Sequence, residues 1–236
     1  MKESFVGRAS SAAVIVALGV WWGVRVVSGH PAEPKGVFPK PTMDAALATK
    51  PGKETAVFAG GCFWGVQGVF QHVKGVKRAT SGYAGGTVEN PYYELVSSGN
   101  TGHAESVEVE YDSAQITYGQ LLMVFFSVAH DPTQKDRQGP DIGTQYRSMI
   151  LYRNEEQKKI AESYIAIINA AKVYDHAVAT QVSRLSGFYE AEAYHQSYLE
   201  KHPNNLYVRY NDLPKIAKLK ATYPELYEDS AAKAER

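Results

Sequence analysis

The residues best suited to covalent chemistry lie in Gly60-Gly61-Cys62-Phe63-Trp64-Gly65, which holds the one cysteine of the chain. The residues before it, 54–59, read as a short strand. Those after it, 66–73, read as a helix with Val66, Val69, Phe70 and Val73 on one stripe. Two glycines permit a tight strand-to-helix turn. Cys62 then falls at a helix N-terminus, where unpaired N–H groups and the positive end of the dipole favour a thiolate. A nucleophilic sulfur beside two large aromatic rings suits a small substrate with an apolar end. A cysteine is otherwise a small buried hydrophobe, so the surrounding motif, more than the thiol, points to catalysis.

Four further segments carry groups able to act on such a substrate: Ser81-Gly82-Tyr83-Ala84-Gly85-Gly86, Asn90-Pro91-Tyr92-Tyr93, Gly102-His103-Ala104-Glu105, and residues 139–148, which include Asp141 and Tyr146. Singly, each has an ordinary explanation. Glu105 reads as a solvated acid at a strand end. Tyr93 and Tyr146 read as core aromatics with one satisfied hydroxyl, Asp141 as a turn residue beside Pro140 and Gly143, and His103 as a loop brace. Tyr83 reads as structural, and Phe63 and Trp64 read equally as core. A lone cysteine also fits a hydrolase with His103 or His195 as base, or a thiol peroxide sensor.

The elements that must position these groups follow from periodicity. Residues 75–83 read as a second strand. Residues 106–111 alternate, with Val107, Val109 and Tyr111 against Glu108 and Glu110. Thr117 caps a helix carrying Leu121, Leu122, Val124, Phe125, Phe126 and Val128. Residues 145–152 read as a strand. Asn154, with Gln157 three positions on, opens a helix to about Lys172, and residues 177–182 form a further strand. The first six elements predict an α/β (α+β) fold: a ferredoxin-like two-layer sandwich with a mixed sheet and an extended C-terminal segment. The connections 84–101 and 130–144 are long for structureless loops, which points to function there.

Taken together, the cysteine turn and the four segments resemble an A-type peptide methionine sulfoxide reductase in a single-cysteine variant, over residues 55–207. The resemblance implies an enzyme, a peptide-methionine (S)-S-oxide reductase, that repairs oxidative damage. It makes Cys62 the catalytic cysteine and Phe63 and Trp64 the pocket for the substrate's S-methyl group. It makes Glu105 the acid that protonates the sulfoxide oxygen, Tyr93 and Tyr146 the phenols that bind that oxygen, and Asp141 a supporting acid. The segment from Phe188 to Gln196 also resembles the family and is assigned to closing the core and the rim of the site. No cofactor is implied. The implied partners are oxidised proteins or peptides, free methionine sulfoxide and a thiol reductant, with the enzyme a monomer.

These residue types suit the reaction. A sulfoxide oxygen accepts hydrogen bonds well but leaves poorly, so attack on sulfur needs a proton on that oxygen. A Glu in an apolar site keeps its neutral form and can supply it. The products are methionine and a Cys62 sulfenic acid, which a thiol reduces through a disulfide. Many members of the family carry further cysteines in the C-terminal tail for that step. Here residues 204–236 contain none, so the thiol must be external: thioredoxin, or a glutaredoxin system with glutathione.

The bulk composition adds exclusions. Of 236 residues, 44% are hydrophobic, and 25 basic residues balance 25 acidic ones, which gives no case for nucleic acid. One cysteine excludes an intrachain disulfide and a Cys-based zinc site, and the scattered histidines suggest no metal. Lys2 and Arg8 precede an uncharged stretch from Ala9 to Val24, which predicts a cleaved signal or an uncleaved membrane anchor over residues 1–29 and an extracytoplasmic enzyme; a buried core helix is the plainer alternative. Pro31, Pro34, Pro39, Pro41 and Pro51 mark residues 30–53 as a linker. The catalytic domain is then 54–210 and the C-terminal tail 211–236.

Overall fold

The computed structural model describes residues 34–35 and 37–230; the predicted signal or anchor over residues 1–29 lies outside the described residues. Strand β1 (Lys53–Gly60) leads into helix α1 (Phe63–Gln71), strand β2 (Val76–Ala84), the short helix α2 (Tyr93–Ser97), strand β3 (Ala104–Asp112) and helix α3 (Tyr118–Val124), which continues as a π-turn over Phe125–Ala129. The two-residue strands β4 (Arg137–Gln138) and β5 (Asp141–Ile142) and a 3-10 turn at Thr144–Tyr146 precede strand β6 (Ser148–Tyr152), helix α4 (Glu155–Ala170) and strand β7 (Gln181–Arg184). Strand β8 (Phe188–Glu190), a 3-10 turn at Ala193–His195 and helix α5 (Tyr198–Lys201) follow. A π-turn over Val208–Asp212 then runs into helix α6 (Leu213–Thr222).

The main sheet has the order β7-β6-β1-β3-β2-β8. Strand β3 lies between β1 and β2 and is antiparallel to both, the split β-α-β arrangement of ferredoxin-like folds. Strand β6 pairs antiparallel with β1, while β7 pairs parallel with β6 and makes the sheet mixed. Strand β8 extends the opposite edge, antiparallel to β2. Alternation along the central strands sorts the side chains. Ala56 and Phe58 of β1 and Val107, Val109 and Tyr111 of β3 face the main core with α1, α3 and α4, whereas Val57, Ala59 and Ala104 belong to a smaller cluster on the other face. At the centre Phe58 stacks on Phe70 and Phe125, with ring centroids 5.2 and 4.9 Å apart. Burying one such side chain contributes roughly 1.5–3 kcal/mol.

Both predicted caps are present. Thr117 Oγ1 accepts from the Gln120 N–H at 3.1 Å while Gln120 Oε1 accepts from the Thr117 N–H at 3.0 Å, and Asn154 Oδ1 accepts from the Gln157 N–H at 2.8 Å. Other boundaries move. Helix α1 starts at Phe63, three residues before the apolar stripe, and the strand expected over 145–152 begins only at Ser148 because residues 144–146 turn. The last predicted strand lies at 181–184, and the two long connections hold α2 and the β4–β5 pair.

The outer segments pack against the core. The described residues of 34–52 form no regular element, but Phe38 packs edge-on against Tyr164 and Tyr174, the Tyr164 hydroxyl donates to the Pro39 carbonyl, and Asp44 accepts from the Thr117 hydroxyl and the Gly119 N–H. Residues 211–227 are part of the packed unit, since Asp212, Leu219, Tyr223 and Leu226 are buried. The signal for this is amphipathic: Ile216, Leu219 and Tyr223 recur at three- and four-residue intervals after a helix-starting Pro214. Among the described residues no helix is long and apolar enough to cross a membrane.

Candidate active site

The turn that presents the thiol is built by its glycines. Gly61 has φ +88°, and a Cβ there would lie 2.5 Å from Gln138 Cβ and Cγ, so glycine alone serves on both counts. Cys62 follows as the N-cap of α1, buried to 9% exposure, with a free thiol. Phe63 and Trp64 are the first two helical residues. Phe63 is buried between Tyr83 and His195. Trp64 is half-buried; its indole stacks on Tyr198 at 3.7 Å and meets the edge of Tyr207 at 6.0 Å.

Glu105 comes from the adjacent strand. It shares the parity of Val107, Val109 and Tyr111, so it points to the helical side of the sheet and is only 3% exposed. Its Oε2 accepts the Phe63 N–H at 3.0 Å. The first free N–H of α1 is thus taken by the acid, directly after the cysteine. Burial pushes the Glu105 carboxyl up to about 8 against the lowering effect of that bond, and the charges of Asp141 and Asp212 push it the same way as burial.

The thiol behaves differently from the sequence expectation. Burial pushes Cys62 well above the ordinary thiol range; Glu105 and Asp212 add to the rise, and the Trp64 N–H opposes it. The helix N-terminus therefore does not hold a resting thiolate here: desolvation and the three carboxyls of Glu105, Asp212 and Asp141 outweigh a partial charge of about half a unit.

The phenols and the second acid come from loops. Tyr93 opens α2, and its N–H donates to Glu192 Oε1 at 2.9 Å, while the Tyr83 hydroxyl donates to Glu192 Oε2 at 2.8 Å. Burial, then the charge of Glu105, raises the Tyr93 hydroxyl to about 12, and the same two causes raise Tyr146 in its 3-10 turn. Asp141, on β5, is half-buried and accepts a hydrogen bond from the Tyr207 hydroxyl. Burial raises its carboxyl, opposed by that bond and by Lys215. The mutual influence of Cys62, Glu105, Tyr93, Tyr146 and Asp141 brings all five residues singled out from the sequence into one neighbourhood, walled by Phe63 and Trp64.

Neither histidine is placed as a base for the thiol. His103 Nδ1 accepts the Gly86 N–H at 3.1 Å, which leaves Nε2–H to donate to the Val88 carbonyl at 2.8 Å. It is a loop brace. His195 Nδ1 accepts the Trp64 indole N–H at 3.1 Å, which orients the tryptophan. Among the described residues no group of three or more His, Cys, Asp or Glu is arranged to hold a metal ion.

Residues 54–226 match the family model described as peptide methionine sulfoxide reductase. The peptide methionine sulfoxide reductase MsrA 2 of Mesorhizobium japonicum is 58% identical over 187 residues, covering 79% of this chain and 95% of the relative. The enzyme of the same name from Synechocystis is 48% identical over 191 residues, covering 80% and 89%. The solved methionine sulfoxide reductase A of Corynebacterium diphtheriae superimposes with a TM-score of 0.56 at 38% identity, covering 74% of this chain and 85% of that one. The chain belongs to the peptide methionine sulfoxide reductase family. It is an A-type member with a single cysteine.

Three site-forming residues of this reductase lie in its last segment and escaped the sequence reading: Tyr207, Asp212 and Lys215. Asp212 is fully buried, its Oδ1 accepts from Lys215 Nζ at 3.2 Å, and its Oδ2 has no hydrogen-bond partner among the described residues. The pair rests on Gly65, where a Cβ would lie 2.1 Å from Asp212 Oδ1 and 2.6 Å from Lys215 Nζ. Gly65→Ala is therefore expected to lower the melting temperature by about 3–8 °C, from an overpacking cost of about 1–3 kcal/mol. Helix propensity alone would favour alanine by about 1 kcal/mol. A melting temperature equal to or above that of the wild type in a calorimetric scan would show that the pair does not bear on the first turn of α1.

Proposed function

We infer that the chain reduces methionine S-sulfoxide, free or in proteins, to methionine through a sulfenic acid on Cys62 that an external thiol resolves. The observation that carries this reading is the single hydrogen bond from the Phe63 N–H to Glu105. It sets a buried, proton-bearing acid beside the residue that follows the only thiol. In this reading the S-methyl group rests against Phe63 and Trp64, and the sulfoxide oxygen faces Glu105, Tyr93 and Tyr146. Glu105 delivers a proton to that oxygen as the Cys62 thiol attacks, and the proton that the thiol gives up restores Glu105 to its acid form, so one S–O bond breaks on the substrate and one forms on Cys62. Methionine leaves, and Cys62 keeps the oxygen as S–OH. The phenols stay neutral near pH 7, since burial and Glu105 push them up, so they stabilise the oxygen without adding a charge. Asp141 disfavours ionisation of Glu105 and so supports its role as acid.

The test is a methionine sulfoxide assay on separated S and R epimers with dithiothreitol. Methionine should form from the S epimer, with little from the R epimer, as membership of the A-type family implies; Phe63 and Trp64 against the methyl group and the donors at the oxygen supply two of the contacts that distinguish the epimers. Equal rates on both epimers, or none on either, would remove the assignment. The hydrolase reading is disfavoured by the commitments of His103 and His195 to other partners. The second half-reaction follows from the lone cysteine. A thioredoxin, or a glutaredoxin system with glutathione, reduces Cys62 by way of a mixed disulfide.

A further inference from the structure

We propose that Tyr207 is a positioning residue of this reductase: its hydroxyl aims the Asp141 carboxylate at the reacting centre, so that the C-terminal segment completes the active site. The proposal rests on the reading of Cys62 and Glu105 given above. Asp141 sits on β5, a strand of two residues whose pairing partner is equally short, Gln138 facing Asp141 and Arg137 facing Ile142. So small a ladder fixes the backbone loosely and the side chain not at all. Among the described residues the hydrogen-bond donor to this carboxylate is the Tyr207 hydroxyl, which bonds Oδ2 from 66 positions away.

Tyr207 is itself well anchored. Its N–H donates to Asn205 Oδ1 at 2.9 Å, its ring meets Trp64 edge-on, and the next residue, Val208, is fully buried. The phenol is thus tied both to the pocket wall and to the supporting acid. With Oδ2 held from the side of the C-terminal segment, the other carboxylate oxygen is left for the site.

A charge argument gives the bond a consequence. The groups acting on Glu105 are Asp141 from β5 and Asp212 from the π-turn, and Glu105 in turn acts on Cys62, Tyr93 and Tyr146; Lys215 of α6 acts on both aspartates. A donor on Asp141 favours its anion against burial. The anion in turn disfavours ionisation of Glu105. Removing the donor lets Asp141 become neutral more readily, so Glu105 ionises at lower pH and the proton is lost from the acid that needs it.

The test is a double-mutant cycle on single-turnover methionine formation, using wild type, Tyr207→Phe, Asp141→Asn and the double variant. Phenylalanine keeps the ring against Trp64 and removes only the hydroxyl. The single change Tyr207→Phe should slow methionine formation about tenfold, the scale of one hydrogen bond to a charged group. It should also move the alkaline fall of the rate to lower pH. In the Asp141→Asn background the same change should cost less than about twofold, because the carboxylate it serves is gone. An unchanged rate and pH limb in Tyr207→Phe would overturn the proposal. So would an equal loss in both backgrounds, which would show that the hydroxyl acts by a route other than Asp141. Failure of the functional reading itself is distinguishable, since the wild-type enzyme would then form no methionine.

Discussion

Glu105→Gln should slow single-turnover formation of methionine by about 10²–10⁴-fold, the usual worth of a positioned general acid, while changing substrate affinity by no more than a few-fold. Glutamine has nearly the same shape and keeps an oxygen to accept the Phe63 N–H. The fold and the turn at Cys62 should therefore survive. What it lacks is the proton. The wild-type carboxyl is raised from 4.5 to about 8, so roughly nine-tenths of it is protonated at pH 7, against well under about one part in a hundred at its ordinary value. That difference is what lets a carboxylic acid serve near neutrality.

The sign of the pH dependence follows. The working form is the acid, so the wild-type rate should hold below the raised value and fall as pH climbs through about 8; in Glu105→Gln that limb should vanish. Because the proton is needed in the transition state more than in the bound complex, the loss should appear in the rate and not in binding. Rapid-quench measurement of methionine over a pH series decides it, with Cys62→Ser as the blank that forms none. A Glu105→Gln enzyme matching the wild-type rate would take Glu105 out of the mechanism.

Glu105 is legible through the resemblance and not through periodicity, since the strand read from the sequence begins at residue 106; the structure supplies the reason for its burial. Read alone it is a polar residue at a strand end. In β3 it has the parity of Val107, Val109 and Tyr111 on the apolar face, and an acid on an apolar face is either paired or protonated. Gly61 announced a turn that only glycine makes, and the caps at Thr117 and Asn154 announced two helices. The central βαββαβ order was legible because each of its elements carries its own periodicity.

Asp212 and Tyr207 were not legible in that way. In sequence they sit among Asn205, Arg209 and Asn211, a polar stretch that looks solvated. Their burial comes from tertiary packing: the π-turn and α6 lie against the first turn of α1, at Gly65, nearly 150 positions earlier. No local pattern encodes a contact of that range. The state of the Cys62 thiol was misjudged for the same reason. A helix N-terminus is visible in the sequence, but the desolvation and the carboxyls that overrule it are supplied by β3, by β5 and by the C-terminal segment.

The last segment also decides how the catalytic cycle closes. The chain has one cysteine, and where an internal thiol could reach back to the site this protein places Tyr207, Asp212 and Lys215. Without added thiol, one equivalent of enzyme should therefore yield about one equivalent of methionine and then stop, by the stoichiometry of a single thiol taken to sulfenic acid. The stalled enzyme should carry S–OH on Cys62, detectable by a sulfenate-selective label and by a gain of one oxygen in its mass. Adding dithiothreitol should restore turnover through attack of the reductant on the Cys62 sulfur, with release of water, and a second thiol should then free the cysteine. Cys62 is only 9% exposed, so substrate and reductant must reach the same buried sulfur in turn, and excess methionine sulfoxide should slow recycling by competing with the thiol. Several turnovers per enzyme in a thiol-free reaction would show that some other group in the chain reduces Cys62, and this account of the cycle would fail.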